Sequence, residues 1–222
     1  ADFEARLNAL AAKYSMSAFA ISAAVFSAAL QRLTGQTDLA FSTPVTGRMD
    51  VDLEPMIGVF INNLVLRYLP EPSQSFDSYL RASKPVVEGA LAHQTMPYNK
   101  LIEALNPPRD LSRNPLVSVN FTHGPVFMES KRYGGFELRS VPSELPGAIC
   151  DLNFAVVGRH EAWVMAAEYA TNLFSPQTVE RVLDVVQAAF AQLFANPDAR
   201  LEQIASPAAA PTAQPKNCPL RD

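Results

Sequence analysis

The first third of the chain spaces its apolar residues as α-helices do. Two successive stretches carry apolar stripes at Phe3, Leu7, Leu10 and Tyr14, and at Phe19, Phe26, Leu30 and Leu33. This spacing predicts two amphipathic helices, the first of them capped by Asp2. Gly35 stands where a left-handed residue would end the second helix.

Two apolar runs after these helices have the character of β-strands. Residues 39–41 predict a short buried strand that is closed by Pro44 and Gly47. From Val59 to Leu69 the chain is almost continuously apolar and β-branched. Because such a run lacks alternation, we expect a strand that is covered on both faces.

Helical and strand patterns then follow one another along the chain. Residues 76–91 predict a helix that Pro85 must kink or break, and residues 98–105 predict a short helix. Alternation of apolar and polar positions predicts strands at 117–123, 136–138, 152–156 and 163–169, the last two as an antiparallel hairpin. Ser175 and Pro176 are a typical start for the final helix, which has an apolar side.

The composition changes after Ile204. Proline recurs every four residues among alanines from there on, at Pro207, Pro211, Pro215 and Pro219. Such a stretch favours extended conformers and cannot build a core. We therefore expect a folded lobe over residues 1–205 and a Pro/Ala-rich interdomain linker over residues 206–222. Since the chain also begins without Met, we expect it to be part of a longer protein.

Composition and charge exclude several classes of protein. Of the 222 residues 48% are hydrophobic and the net charge is only −4, which argues against intrinsic disorder and against a basic nucleic-acid binder. We find no uninterrupted apolar run long enough to span a membrane. With two cysteines and no signal peptide, a reducing, cytoplasmic setting is the expectation.

Most sequence signals of catalysis or metal binding are missing. The three histidines are isolated from one another and from the cysteines, so we expect no metal site. Motifs of the GxSxG, GxGxxG and Walker A types do not occur. For His123 the pattern favours a core or rim position over a role in a pocket, and for Cys150 a small buried apolar residue over a reactive thiol. The polar segment 109–115 favours structural pinning of a loop over capture of a phosphorylated partner.

Three segments, taken in order, resemble the motifs of nonribosomal peptide synthetase condensation domains. Residues 57–67 resemble I-G-x-F-V-N-T-x-x-x-R, with Asn63 in place of Thr. Residues 93–98 resemble H-Q-D-x-P-F, with Thr95 in place of Asp and Tyr98 in place of Phe. Residues 109–116 match R-D-x-S-R-N-P-L at every fixed position. The resemblance extends from the first helix to about residue 194. Over this length the chain resembles the C-terminal lobe of such a domain.

The resemblance implies a fold and a reaction. The fold would be an α/β lobe like that of chloramphenicol acetyltransferase, with a mostly antiparallel mixed sheet and helices packed on one face. The reaction would be amide formation between thioesters held on donor and acceptor peptidyl carrier proteins. The catalytic H-H-x-x-x-D-G motif of the family is absent from this chain, so we expect the chain alone to be inactive, with no catalytic residue of its own.

The resemblance also implies partners and site residues. The partners would be the N-terminal lobe of the same domain, the carrier proteins, and an adenylation domain joined through the linker. No cofactor would bind directly, since the 4′-phosphopantetheine arms of the carriers tether the substrates. The motif residues expected to build the wall of the substrate tunnel are Gly58, Phe60, Asn62, Arg67, His93, Gln94, Arg109, Asp110, Ser112, Arg113, Asn114 and Pro115. Among these, Arg67 would meet a carboxylate at the end of its strand. Thr122 and His123 are candidates to face the tunnel.

Two alternatives to this assignment remain open at the level of sequence. The first is a non-catalytic module of the same descent that docks carrier proteins or recruits a tailoring enzyme. The second is a lobe of an epimerization domain or of an ester-forming acyltransferase. In each case the apolar surface that contacts the N-terminal lobe would be exposed in this chain.

Overall fold

The computed structural model describes residues 2–108, 114–125, 131–138, 147–158 and 162–206. Within these ranges the helices are α1 (Asp2–Tyr14), α2 (Ala18–Thr34), α3 (Phe76–Ala92), α4 (Tyr98–Leu105) and α5 (Pro176–Ala195). The strands are β1 (Leu39–Val45), β2 (Asn62–Tyr68), β3 (Val119–Pro125), β4 (Lys131–Tyr133), β5 (Phe136–Leu138), β6 (Leu152–Gly158) and β7 (Trp163–Tyr169). Short 3₁₀ turns span Val51–Leu53 and Leu201–Gln203.

The main sheet is mixed. Its five strands lie in the order β2-β1-β3-β6-β7, with parallel pairing in the centre and antiparallel pairing at both outer pairs. β4 and β5 form a separate antiparallel hairpin. The expected mixed sheet is confirmed, and its parallel centre β1-β3-β6 is a feature that local patterns do not reveal.

Helix α2 lies at the centre of the layer that covers one face of the sheet. It contacts α1, α3 and α5 as well as β1 and β3. The ring of Phe26 packs against three strand residues, with centroid distances of 5.2 Å to Phe41, 4.9 Å to Phe121 and 4.8 Å to Phe154. All four rings are fully buried, so this cluster forms the middle of the core.

Local capping explains where the helices begin and end. The Ser17 hydroxyl accepts a hydrogen bond from the Ala20 N–H at 3.1 Å, and the Ser175 hydroxyl accepts one from Thr178 at 3.2 Å. Gly35 has φ 72° and donates its N–H to the Gln31 carbonyl at 2.7 Å. The Ser175 N-cap and the left-handed end of α2 confirm the sequence predictions, and Ser17 adds an N-cap that was not predicted. Asp2, expected as a cap, is instead the first described residue of α1.

Two elements continue through a proline, and the prediction that Pro44 closes β1 is wrong. Strand β1 continues through Pro44, which stands opposite Asn63 of β2, and β1 pairs with β3 only at Ser42. Because β1 has no pairing with β3 at residue 44, the missing N–H of Pro44 costs no hydrogen bond to β3. Helix α3 is unbroken at Pro85. A proline removes one helix hydrogen bond, and packing of the buried face of α3, including Leu80 and Val87, offsets that loss.

Strand β2 is not covered on both faces as predicted. It is an edge strand whose burial alternates, with Leu64 and Leu66 buried and Arg67 exposed. Val59 and Ile61 precede the strand and are exposed. The continuous apolar run thus combines a half-buried strand with a preceding segment whose apolar residues Val59 and Ile61 are exposed.

The predicted linker falls mostly outside the described residues. The linker over 206–222 has only Ser206 inside them.

In the parts of the chain that the structure describes, no single helix is long and apolar enough to cross a membrane. Helices α1 and α2 together are long and apolar enough by length and composition only, but the pair is bent by 97°.

Candidate functional site

Arg48 organises the loop that leads into β2. Its guanidinium lies over the Phe60 ring, 4.3 Å from the centroid, and donates hydrogen bonds to the carbonyls of Leu53, of Met56 at 2.9 Å and of Gly58 at 3.4 Å. The motif residues Gly58 and Phe60 are therefore parts of a loop held by one arginine. Arg48 lies outside the three motif segments, and its sequence context does not reveal this role.

Gly47 permits the close approach of this loop. It has φ +66°, and a Cβ at this position would lie 1.9 Å from the Phe60 carbonyl oxygen. Any larger residue would therefore both strain the backbone and displace residue 60. The loop 47–60 depends on a glycine beside its arginine.

Asn62 joins the first motif to the second. Its side-chain amide donates to the carbonyls of Gln94 at 3.0 Å and Met96 at 2.8 Å. Its side-chain oxygen accepts from the Tyr98 N–H at 3.0 Å, at the first residue of α4. One residue at the start of β2 therefore fixes the turn that carries His93 and Gln94.

His93 and Gln94 occupy tight turns after α3. The N–H of His93 bonds the Ala90 carbonyl at 3.2 Å, and the Met96 N–H bonds the His93 carbonyl at 3.0 Å. The His93 side chain is exposed. The described contacts of these two motif residues are thus made by their backbones.

The third motif is connected to the second through Tyr98. The Tyr98 hydroxyl donates a hydrogen bond to the Pro115 carbonyl. Asn114 donates from its side chain to the Ile149 carbonyl at 3.1 Å. Four predicted site residues, Arg109, Asp110, Ser112 and Arg113, lie outside the described residues.

Arg67 forms an ion pair with Asp38. Its Nε and Nη2 donate to the two carboxylate oxygens at 2.8 and 2.7 Å. This hydrogen bonding holds the pKa of the Asp38 carboxyl below its usual value. Arg67 therefore meets a carboxylate as expected, although both side chains are more than half exposed.

Thr122 and His123 line a cavity of about 450 Å³. It lies among the start of α2, the last residues of β1 and β3, strand β2 and helix α3. Its buried lining includes Leu64, Leu66 and Val87, whereas Pro44 and Leu91 are exposed at its rim. Ligands of open α/β sheets bind at the carboxyl ends of parallel strands, and β1 and β3 are parallel and end here.

His123 is an uncharged wall of this cavity. Its ring stacks on Trp163 at 4.8 Å between centroids, and its Nε2 is buried without a hydrogen-bond partner. Burial lowers the pKa of His123 to about 4. The imidazole is therefore neutral at pH 7. The sequence favoured a core or rim position for His123 over a pocket position, and the ring both packs on Trp163 and lines the cavity.

A row of polar side chains crosses the opposite face of the sheet. Ser42 donates to the Asn120 side-chain oxygen at 3.0 Å, and the Asn120 amide donates to that of Asn153 at 2.8 Å. Glu168 stands opposite Asn153 in the register, with a buried oxygen that has no hydrogen-bond partner. Local sequence patterns do not reveal this row, because the pairing of β1, β3 and β6 that aligns it joins distant segments.

The other chemical groups among the described residues point to no further reactive centre. Cys150 is half-buried, and burial, with the nearby acidic groups Asp151 and Glu168, raises the pKa of its thiol. A raised pKa keeps the thiol protonated and unreactive. Among the described residues, no group of three or more His, Cys, Asp or Glu side chains is arranged to hold a metal ion.

The family model for the condensation domain matches residues 1–214. The chain belongs to this family, and its fold is of the chloramphenicol-acetyltransferase type. It is 32% identical over 200 residues to tyrocidine synthase 3 of Brevibacillus parabrevis, a match that covers 89% of this chain and 3% of that protein. It is 32% identical over 175 residues to bacitracin synthase 1 of Bacillus licheniformis, covering 79% of this chain and 3% of that protein. The chain thus spans a small fraction of these relatives.

Solved structures share the fold at lower sequence identity. The X-domain from teicoplanin biosynthesis superimposes with a TM-score of 0.81 at 23% identity, over 92% of this chain and 47% of that one. A four-domain nonribosomal peptide synthetase bound to AMP and glycine gives 0.79 at 23% identity, over 90% of this chain and 16% of that one.

Proposed function

We propose that this chain is the C-terminal lobe of a condensation domain that forms peptide bonds between carrier-bound thioesters. The observation that carries the proposal is the continuous set of hydrogen bonds from Asn62 through Tyr98 to Pro115. It joins the three family motifs into one framework. The share of the X-domain that the chain covers, 47%, supports a single lobe.

The chemistry divides the work between this lobe and its partner. In the reaction the acceptor amine attacks the donor thioester, a C–N bond forms, the C–S bond breaks, and the amine proton ends on the leaving thiolate. A base for that proton must approach within about 2.6–3.2 Å. His123 is unsuited because its Nε2 is buried and its pKa is about 4. Since no part of this sequence matches H-H-x-x-x-D-G, the proposal assigns the base to that motif in the N-terminal lobe.

The contribution of this lobe is alignment. Both reactants are tethered to carrier proteins through 4′-phosphopantetheine arms, and no other cofactor is needed for attack on an activated thioester. Holding two tethered reactants in line lowers the barrier by several kcal/mol. A framework of motif residues that fixes loops rather than touching protons suits that task.

The surface for the N-terminal lobe is the segment 49–61. Six large apolar residues of this segment are exposed: Met49, Val51, Met56, Ile57, Val59 and Ile61. Ile57 and Val59 are exposed by 103% and 91%. Such exposure is typical of a surface that a partner covers. Residues 206–222 would lead to an adenylation domain, in a cytoplasmic multidomain enzyme of secondary metabolism.

A second candidate function is a module that docks other proteins without catalysis. It is favoured by the likeness to the teicoplanin X-domain, which has also been solved in complex with OxyB. Under this alternative the partner lobe would carry a degraded histidine motif, and the chain would bind a carrier or a tailoring enzyme without transferring an acyl group.

A transfer assay read by mass spectrometry separates these functions. Donor and acceptor carriers, each loaded with an aminoacyl thioester, are mixed with this chain, with and without the polypeptide that carries H-H-x-x-x-D-G. We expect dipeptidyl product only when both lobes are present and none when the second histidine of that motif is replaced by alanine.

Each other result overturns the proposal in a defined way. Product from this chain alone would show that a base lies within it. Carrier binding without product would establish the docking module. Epimerised donor without transfer would indicate an epimerization domain, and product only with a hydroxyacyl acceptor would indicate an ester-forming enzyme.

A further inference from the structure

Strand β7 lies at one end of the main sheet and presents a free edge there. Ala170, directly after the strand, donates its N–H to the carbonyl of Asp151 at 3.0 Å, so positions 164, 166 and 168 of β7 also bond β6. The alternate residues point their N–H and C=O groups away from β6, and they are Trp163, Met165, Ala167 and Tyr169. Among the described residues, no strand pairs with this edge.

The β7 edge lacks the features that usually keep edge strands unpaired. Such features are Lys or Pro residues, bulges and very short strands. β7 runs for seven residues in continuous register with β6 and contains no Lys, Arg or Pro. The opposite edge of the sheet, β2, presents the exposed ion pair of Arg67 with Asp38. A further strand can therefore join the sheet at β7 through main-chain hydrogen bonds.

A surface cleft of about 630 Å³ lies beside this edge, among α1, α5 and β7. Its walls are mostly apolar and include Phe3, Phe190 and Trp163. Val164 also lines the cleft, although its side chain points to the opposite face of the sheet from that of Trp163. The cleft therefore reaches the outer edge of β7, where a strand paired with β7 would hold a side chain at its mouth.

We propose that a second copy of this chain pairs with β7 through its own β7, in an antiparallel dimer with twofold symmetry. The two strands match when Ala166 of one copy lies opposite Ala166 of the other, because every outward residue then faces an outward residue. Trp163 of each copy lies opposite Tyr169 of the other, and Met165 lies opposite Ala167. A twofold axis uses each edge once, so the assembly closes as a dimer and does not extend into a fibre.

The side chains of β7 suit this register. On the face that carries the helices, the Tyr169 ring of one copy lies beside Trp163 of the other at the cleft, and aromatic cross-strand pairs are stabilising. On the opposite face, the exposed Ala166 side chains meet at the axis, where their small size permits close approach. Glu168, which is the one charged residue of β7, lies opposite Val164 and not opposite a second carboxylate. The edge is therefore complementary to itself.

Amide hydrogen exchange tests the pairing directly. The Ile57→Lys, Val59→Lys chain is used, because it removes the two most exposed apolar side chains of segment 49–61 and leaves β7 unchanged. We expect the amides of Met165 and Ala167 to gain protection of at least about tenfold as the concentration rises, whereas that of Ala166, already bonded to β6, changes little. A chain that stays monomeric at about 1 mM, where even weak association is populated, overturns the proposal.

Charges on the exposed face of β7 test the register. Ala166→Lys places two ammonium groups opposite each other at the axis, so it should weaken dimerisation at least about tenfold in analytical ultracentrifugation. Val164→Lys is the matched control, because its ammonium group lies opposite Glu168 of the other copy. It should weaken dimerisation no more than about twofold. Both side chains are exposed, so folding should be preserved, and equal losses in the two variants would contradict the register.

A mixture of charge variants supplies a rescue. Ala166→Lys mixed with Ala166→Glu brings opposite charges together at the axis, so the mixture should form a heterodimer that neither variant forms alone. Failure of the mixture to recover the dimer would reject the pairing of β7 with β7. The outcome is independent of peptide transfer, because β7 lies outside the three motif segments and outside segment 49–61.

Discussion

Asn62 and Tyr98 are joined across two family motifs by a hydrogen bond of 3.0 Å from the Tyr98 N–H to the Asn62 side-chain oxygen. The Asn62 amide at the same time bonds the carbonyls of Gln94 and Met96. Because Tyr98 in turn bonds Pro115, the loss of Asn62 would release the second motif from the sheet while leaving it attached to the third.

Asn62→Ala should lower the free energy of unfolding by about 1–3 kcal/mol, since three hydrogen bonds lose their partner at a half-buried position. Asn63→Ala is the matched control, because Asn63 is the adjacent exposed residue on the opposite side of β2. Its effect should stay within about 0.5 kcal/mol. Urea denaturation of both variants checks this, and equal midpoints would show that the Asn62 contacts are not stabilising.

His123 predicts a pH dependence of stability. Its folded pKa of about 4 lies below the ordinary value of 6.5, so the unfolded chain binds the proton more readily. The free energy of unfolding should therefore fall as the pH decreases from about 6.5 to 4, and this contribution should level off below pH 4. Denaturant midpoints measured across this range test the direction.

A pair of histidine variants isolates this effect. His123→Phe keeps an aromatic ring against Trp163 and removes the titrating group, so it should flatten the decline between pH 6.5 and 4. His93→Gln removes a histidine from an exposed position and should retain the decline. The pKa of Asp77 is lowered to about 2, chiefly by its hydrogen bond from Arg81. Its contribution to the free energy of unfolding is therefore lost only as the pH falls below 3.8, outside the range assigned to His123. An unchanged slope in His123→Phe would contradict the assignment.

Phe26→Ala should be among the most destabilising single substitutions. The ring is fully buried and contacts Phe41, Phe121 and Phe154, so its removal leaves a cavity between α2 and the sheet. We expect a loss of about 3–5 kcal/mol. Phe136→Ala makes the same change at a side chain that is 80% exposed and should cost less than about 0.5 kcal/mol. Calorimetry or urea unfolding would decide, and a loss under about 1 kcal/mol at Phe26 would refute the packing argument.

The exposed segment 49–61 predicts self-association of the isolated chain. Light scattering should show a mass that rises with concentration, because apolar side chains such as Ile57 and Val59 have no cover. The double variant Ile57→Lys, Val59→Lys should shift the chain towards monomer. The double variant Leu105→Lys, Leu173→Lys, which alters leucines that are 60% and 54% exposed, should not. A wild-type chain that stays monomeric over a wide concentration range would count against this surface.

Local chemistry explains which elements were predictable. The caps Ser17 and Ser175 and the left-handed Gly35 act on backbone groups a few residues away, so each is visible in a short window of sequence. The hairpin β6-β7 follows from alternation and a nearby turn for the same reason. The error at Pro44 came from treating proline as a local stop. Helix α3 also continues through Pro85, because core packing, like strand pairing at Pro44, determined whether the element continued.

By itself, the sequence determined the helices, most strands, the three motif segments and the family to which they point, because periodicity, caps and motifs are written in neighbouring residues. Only the tertiary structure decided the parallel centre β1-β3-β6, the single buried face of β2, the connection of Asn62 to Tyr98 and the cavity beside His123. These depend on which distant segments lie side by side, and that choice is made by burial of the whole core.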